Sequence, residues 1–146
     1  MLTLLQMSDR LEIQDLIARY AHAIDDRDWN ALDAIFTADA VIDYTELGGA
    51  KGNLAETKAY LATAMTGFPA FQHLSATSRI DIDGDAAKAR TILFNPMVIP
   101  HEGSEQVMFI GLWYCDELAR TDKGWRIVHR REEKCWSHNA PAGLLP

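Results

Sequence analysis

Leu11, Ile13, Leu16, Ile17, Tyr20 and Ile24 recur at helical spacing and predict a helix from Ser8 to about Asp25. Ser8, followed by Asp9-Arg10-Leu11-Glu12, has the chemistry of an N-cap, because its hydroxyl can accept a free backbone N–H of the first turn. Trp29, Leu32, Ile35 and Phe36 form the apolar side of a second, shorter helix, and Ala55 to Met65 reads as a third, capped by Asn53. Between them, Val41-Ile42-Asp43-Tyr44 is β-branched and aromatic and predicts a short strand, with turns at Gly48-Gly49 and Gly52. Past residue 70 the period changes from helical to alternating. Phe71 to Asp83 predicts a strand, Asp83-Gly84-Asp85 a tight hairpin, and Ala86 to Ile99 the return strand, interrupted by Pro96 and stopped by Pro100. Glu105 to Arg120 and Trp125 to Trp136 are two more strands around the turn Thr121-Asp122-Lys123-Gly124.

Three helices followed by a meander of long strands imply an α+β fold. The sheet must curl over the helices to bury both apolar faces, which leaves a conical pocket of the kind that holds small apolar ligands. No repeat, linker or low-complexity segment divides the chain, so residues 1–146 read as one domain. Along the third long strand, Val107, Phe109 and Trp113 alternate with Met108, Ile110 and Leu112. One set covers the core; the other, left exposed on a monomer, predicts a homo-oligomer, a dimer or a trimer.

Composition narrows the function classes. Hydrophobic residues make up 48% of the chain, which excludes a disordered protein. A net charge of -7, with no basic cluster beyond His129-Arg130-Arg131, argues against nucleic acid as a partner. No apolar run approaches the roughly 20 residues of a membrane span, and the N-terminus lacks a secretory signal, so a cytoplasmic protein that does not bind membranes is expected. Cys115 and Cys135 have neither metal-site nor disulfide spacing and read as free thiols.

The candidate chemistry centres on Asp25, at the end of the first helix, and His73, entering the first long strand. A carboxylate beside an imidazole fixes one tautomer and stabilises the imidazolium, which makes a usable base near neutral pH. Tyr44 closes the short strand, His101 ends the second long strand, and Asn95 and Tyr114 are polar groups within long strands that can face a pocket. Alternation places Leu112, Tyr114 and Asp116 on one face and Trp113, Cys115 and Glu117 on the other, without deciding which face is inside. Arg130 and Arg131 point oppositely and read as surface ion pairs with Glu132 or Glu133. Leu16, Tyr20, Phe36, Leu61, Met65, Phe94 and Met97 are candidates for an apolar lining. There is no Gly-rich phosphate loop, GxSxG or HExxH, and the five histidines are scattered, so proton transfer with no cofactor and no metal is the expectation.

The order of elements, the helix junction Asp25-Asp26-Arg27-Asp28-Trp29, the strand histidine and the ending Gly124-Trp125-Arg126-Ile127 resemble the SnoaL-like branch of the nuclear transport factor 2 (NTF2-like) superfamily over about residues 8 to 137. Within it the chain is most similar to the scytalone dehydratases and the hexachlorocyclohexane dehydrochlorinases. That resemblance implies a cystatin-like cone, with the three helices packed on a curved, mainly antiparallel sheet. It matches Asp25 to the dehydratase aspartate of Tyr-Asp-Ser-Lys-Asp-Trp, Tyr44 to a catalytic tyrosine in the same Ile-Asp-Tyr context, His73 to the acid/base histidine, and His101 to a second active-site histidine preceded by Val-Pro. Ile13-Gln14-Asp15-Leu16, Asp25 and His73 match the dehydrochlorinase, where the Asp–His pair is the base. Ile24 stands where the dehydratase has a second tyrosine, and Leu112 and Tyr114 fall near its serine and asparagine.

The expected function is thus a dehydratase-like lyase or an isomerase that uses His73 and Asp25 to abstract a proton from a small, mostly apolar cyclic substrate. Tyr44 would bond a carbonyl or leaving oxygen, and His101 would assist the departing group. Tyr20, Ile24, Asn95, Met97, Leu112 and Tyr114 are the expected substrate-binding positions. The alternatives are a ketosteroid-isomerase-like or polyketide-cyclase-like enzyme, with Asp25 as the base, and a non-catalytic ligand-binding or dioxygenase-subunit-like module.

Overall fold

The computed structural model describes residues 1–146. Helix α1 runs Leu4–Asp25, one turn further toward the N-terminus than its apolar period suggests. Thr3, not Ser8, is the cap: its side chain accepts the Gln6 N–H while the Gln6 side chain accepts the Thr3 N–H, a reciprocal capping box. The extra turn carries exposed Leu4 and Leu5, so it left no mark in the buried periodicity. The second helical segment, Trp29–Ala34, is a 3-10 turn, and Phe36 belongs to strand β1, Phe36–Asp43, rather than to that helix. Helix α2 spans Leu54–Ala64, with Asn53 and Glu56 forming a second capping box. Asn53→Ala is expected to cost about 1 kcal/mol of stability, read as a lower urea midpoint with an unchanged slope.

Seven strands make one sheet in the order β2-β1-β7-β6-β5-β3, with β4 also paired to β5. They are β2 Lys51–Gly52, β3 Ala70–Phe71, β4 Leu74–Asp83, β5 Ala86–His101, β6 Ser104–Thr121 and β7 Gly124–His138. All pairs are antiparallel except β1 with β7. The core between helices and sheet holds Ile13, Leu16, Ile17, Leu32, Ile35, Phe36, Trp125 and Ile127. Leu112, Tyr114 and Asp116 face inward, and Trp113, Cys115 and Glu117 outward.

Neither proline stops β5. The Gln72 N–H donates to the Pro96 carbonyl, so the backbone groups of Pro96 face β3 and β4 rather than β6. Its missing N–H therefore falls opposite residues 72 and 73, where the β3–β4 chain leaves the ladder. Pro100 has the same parity, and β3 pairs no further than Val98, so there too no neighbour needs the absent donor. The strand expected from Phe71 to Asp83 is consequently split in two, with His73 in the gap.

The outer face of the sheet keeps an apolar strip: Leu74, Ile92, Phe94, Val107 and Trp136 are exposed, and Phe94 stacks on Phe109 with centroids 5.8 Å apart. No helix is long and apolar enough to cross a membrane.

Candidate functional site

A cavity of about 300 Å³ lies between α1, α2 and the concave face of the sheet. Its wall is mostly apolar: Ile24, Leu61, Met65, Phe68, Met97, Met108, Ile110 and Leu112 contribute, with Leu144 and Leu145 of the tail at the rim near Gly48 and Gly49. The polar groups that reach it are Tyr20, Tyr44, Tyr60, His73, Asn95 and Glu132.

Asp25 occupies the last position of α1, where a negative charge opposes the helix dipole. The chain then turns through a Schellman motif: the Arg27 N–H bonds the Ile24 carbonyl and the Asp28 N–H bonds that of Ala23. Arg27 takes the left-handed conformation this turn needs, at φ 57°, a place where glycine is usual. Tertiary contacts hold it there. Its guanidinium donates to the carbonyls of Met65 (2.6 Å) and Phe68 (2.8 Å) and lies 4.6 Å from the Phe71 ring centroid. Arg27 thereby ties the end of α1 to the segment that delivers His73.

The unfavourable charge on Asp25 is answered by His73. The backbone N–H of His73 donates to both carboxylate oxygens at 3.0 Å, and Nδ1 lies 2.7 Å from Oδ1. The break between β3 and β4 thus has a cause, since the His73 N–H serves Asp25 instead of β5. Asn95 steadies the same gap by donating Nδ2 to the Gln72 carbonyl at 2.8 Å. The imidazole is 8% exposed and packs edge-on against Phe71. With Nδ1 committed to Asp25, Nε2 is the nitrogen left to accept a proton.

Tyr44 sits just past β1, and its hydroxyl is 2.7 Å from that of Tyr20. Burial lifts both phenols above their ordinary pKa, Tyr44 strongly, so both remain neutral donors. Beneath Tyr20 lies a fully buried ion pair: Arg130 Nε and Nη2 each donate to Asp116 at 2.7 Å. The guanidinium is 4.0 Å from the ring centroids of Tyr20 and Tyr114. Arg130 is therefore not a surface residue. Arg131 is, paired with Glu133 and Glu46.

Of the positions expected at the site, Asp25 and His73 are bonded together, and Tyr20, Ile24, Tyr44, Asn95, Met97 and Leu112 reach the cavity wall with His73. Three sets of residues do not. His101 closes the β5–β6 hairpin, half-exposed beside Glu102, because β5 runs on through Pro100 and carries it past the cavity. Tyr114 is buried but spent on packing against Tyr20 and Arg130. Phe94 faces outward, as it must when its neighbour Asn95 faces inward, and Leu16 and Phe36 are interior core. His22, His73 and Asp25 form no metal-binding cluster.

Tyr60 and Glu132 are the polar cavity groups that sequence reasoning missed. Trp125 and Ile127 point into the core, and strict alternation from them would send Glu132 outward. The ladder instead shifts between Glu117 and Leu118, opposite Val128, and this bulge moves Arg130 and Glu132 to the inner side. Burial, reinforced by Asp43 and Glu46 and opposed by Arg130, pushes the Glu132 carboxyl up to about 8. The folded state then holds a proton that the unfolded chain releases near pH 4.5, so this group erodes stability as pH rises from about 4.5 to 8. Glu132→Gln is expected to remove that loss. Its Tm should gain on wild type between pH 5 and pH 9; an equal gap at both pH values would contradict the raised pKa.

The comparisons with known proteins show the family and the fold. Residues 6–131 match the SnoaL-like domain. The chain belongs to this family. It is 46% identical over 136 residues to an uncharacterised protein of Mycobacterium tuberculosis, covering 93% of this chain and 92% of that one. Among solved structures, a candidate aromatic ring hydroxylase from Novosphingobium aromaticivorans is 28% identical with a TM-score of 0.79, over 89% of this chain and 91% of that one. A candidate scytalone dehydratase from the same organism (16% identity, TM-score 0.79, 92% and 89% covered) and a hexachlorocyclohexane dehydrochlorinase (20%, 0.77, 94% and 96%) share the fold. An NTF2-like superfamily protein from Salmonella enterica also shares the fold (20% identity, TM-score 0.75, 94% and 97% covered).

Proposed function

We propose that this SnoaL-like protein is a lyase or isomerase that moves a proton at carbon in a small, mostly apolar cyclic substrate. The observation that carries this is the Asp25–His73 pair, whose free Nε2 belongs to a side chain on the cavity wall. Asp25 holds the tautomer and stabilises the imidazolium; His73 removes the proton; the Tyr44 hydroxyl, backed by Tyr20, hydrogen-bonds a substrate oxygen. The pair supplies the base from the chain's own residues, so the proposed step calls on no cofactor.

A reading with Asp25 itself as the base is weaker, since both of its oxygens already accept bonds from His73. A purely structural module is disfavoured by a cavity its own side chains do not fill. We assign the apolar strip on the outer sheet face to a second copy of the chain, giving a homo-oligomer.

The test is incubation in D2O with a panel of cyclic β-hydroxy ketones and halogenated cyclohexanes, followed by NMR for elimination or for deuterium uptake at carbon. His73→Ala is the control. Activity equal to wild type in that variant, or none in either protein, overturns the assignment.

A further inference from the structure

Glu132 is the one carboxyl on the cavity wall, and like the Tyr60 hydroxyl it has no hydrogen-bond partner. Asn95 and His73 spend bonds on holding the 72–73 segment, and Tyr20 and Tyr44 bond each other, but no group of the protein bonds the Glu132 carboxyl. The bulge in β7 delivers it to the wall, and in sheet order β5 and β6 separate its strand from the β3–β4 gap that holds His73. We propose that Glu132 is a catalytic hydrogen-bond donor that binds a carbonyl oxygen of the substrate, on the side of the cavity away from His73.

The proposal rests on the reading of His73 as the base and specifies its substrate as a ring ketone. The step balances within the chain. The C–H bond next to the carbonyl breaks, its proton passes to His73 Nε2, and the electron pair moves into the C–C bond and onto the carbonyl oxygen. The neutral Glu132 O–H hydrogen-bonds that oxygen as negative charge grows there. Return of the proton from His73 to carbon restores both groups.

Electrostatics on every side suit a neutral donor. The charged and titratable groups near enough to act electrostatically on Glu132 are Tyr20 from α1, Tyr60 from α2, Tyr44 and Glu46 after β1, Asp43 at the end of β1, Tyr114 from β6, and Arg130 on its own strand. The one cation among them, Arg130, is held by Asp116. Burial and the two acids keep the proton on Glu132 up to about pH 8. A neutral acid in an apolar wall selects an oxygen acceptor and, through that choice, a carbonyl compound over a hydrocarbon of equal shape.

The probe is 1-tetralone, compared with tetralin, which lacks the oxygen, and with 2-aminotetralin. Binding to the whole protein is measured at pH 6.5 and 9.5. Exchange of the tetralone C2 protons in D2O is followed by NMR. Wild type is expected to prefer the ketone to tetralin by about three- to tenfold at pH 6.5, and to lose that preference at pH 9.5. Glu132→Leu should lose it at both pH values and slow exchange by about 10²-fold or more. Glu132→Gln, which cannot ionise and still donates, should keep the preference at both. No ketone preference in wild type overturns the proposal, as does a preference untouched by pH or by Glu132→Leu. Tighter binding of the amine at pH 6.5 overturns it in favour of a cation site. Should Glu132→Leu fail to fold, the wild-type pH comparison and Glu132→Gln still decide. Ketone binding that depends on Glu132 without any exchange would instead remove His73 as the base and leave Glu132 as the ketone-binding group.

Discussion

Replacing His73 with alanine is expected to slow turnover by about 10²- to 10⁴-fold, the usual contribution of a positioned general base, while the protein still folds. The separation of effects follows from how the residue is held. Two of the three bonds between His73 and Asp25 come from the backbone N–H and survive the substitution. The Gln72 carbonyl remains bonded to Asn95, and Arg27 still clamps Met65 and Phe68. What disappears is the imidazole, its contact with Asp25 Oδ1 and its edge against Phe71. A base used only in the chemical step should lower kcat and kcat/KM together. A circular-dichroism melt should show Tm shifted by a few degrees at most. A variant that turns over at the wild-type rate would leave the Asp25–His73 pair as a structural latch. Asp25→Asn is a less clean test, because its new amide N–H₂ would face the His73 N–H, donor against donor, and disturb the latch itself.

The largest effect on stability is expected at Asp116→Ala. Asp116 and Arg130 are both at 0% side-chain exposure, and the carboxylate accepts two guanidinium bonds. Arg130 Nη1 has no partner even in the intact protein. Removing Asp116 leaves a buried cation with only the faces of Tyr20, Tyr114 and Phe36 around it, which costs about 3–5 kcal/mol. Urea denaturation should show a much lower midpoint, and the Tyr20–Tyr44 hydrogen bond directly above should loosen with it. Replacing both partners by apolar residues of similar volume, Arg130→Met with Asp116→Leu, should be far milder, because no charge is stranded. A loss below about 1 kcal/mol for Asp116→Ala would mean that water reaches Arg130, contrary to its burial.

Much of this architecture was legible in the sequence. The 3.6-residue period of α1, the Asn53 cap and the alternation of β5 to β7 are local signals, written by short-range backbone chemistry and by which face must be dry. They were enough for the α+β class, for the cavity between helices and sheet, and, with the family resemblance, for putting Asp25 and His73 together across 48 residues. The cap at Thr3 was missed because the exposed leucines after it break the apolar pattern. What the sequence could not carry was parity. A strand's inward face is set by counting in twos, and one inserted residue reverses the count. The bulge at Val128 does this, turning Arg130 into the buried partner of Asp116 and Glu132 into a cavity acid. Likewise Pro100 carries a strand-stop signal that the sheet overrides, because no neighbour lies on the side where its N–H is missing, and His101 is carried out of the site. Local chemistry determined the elements; only the pairing of strands decided which charged side chains face the cavity, because register is a property of two strands lying together and not of either alone.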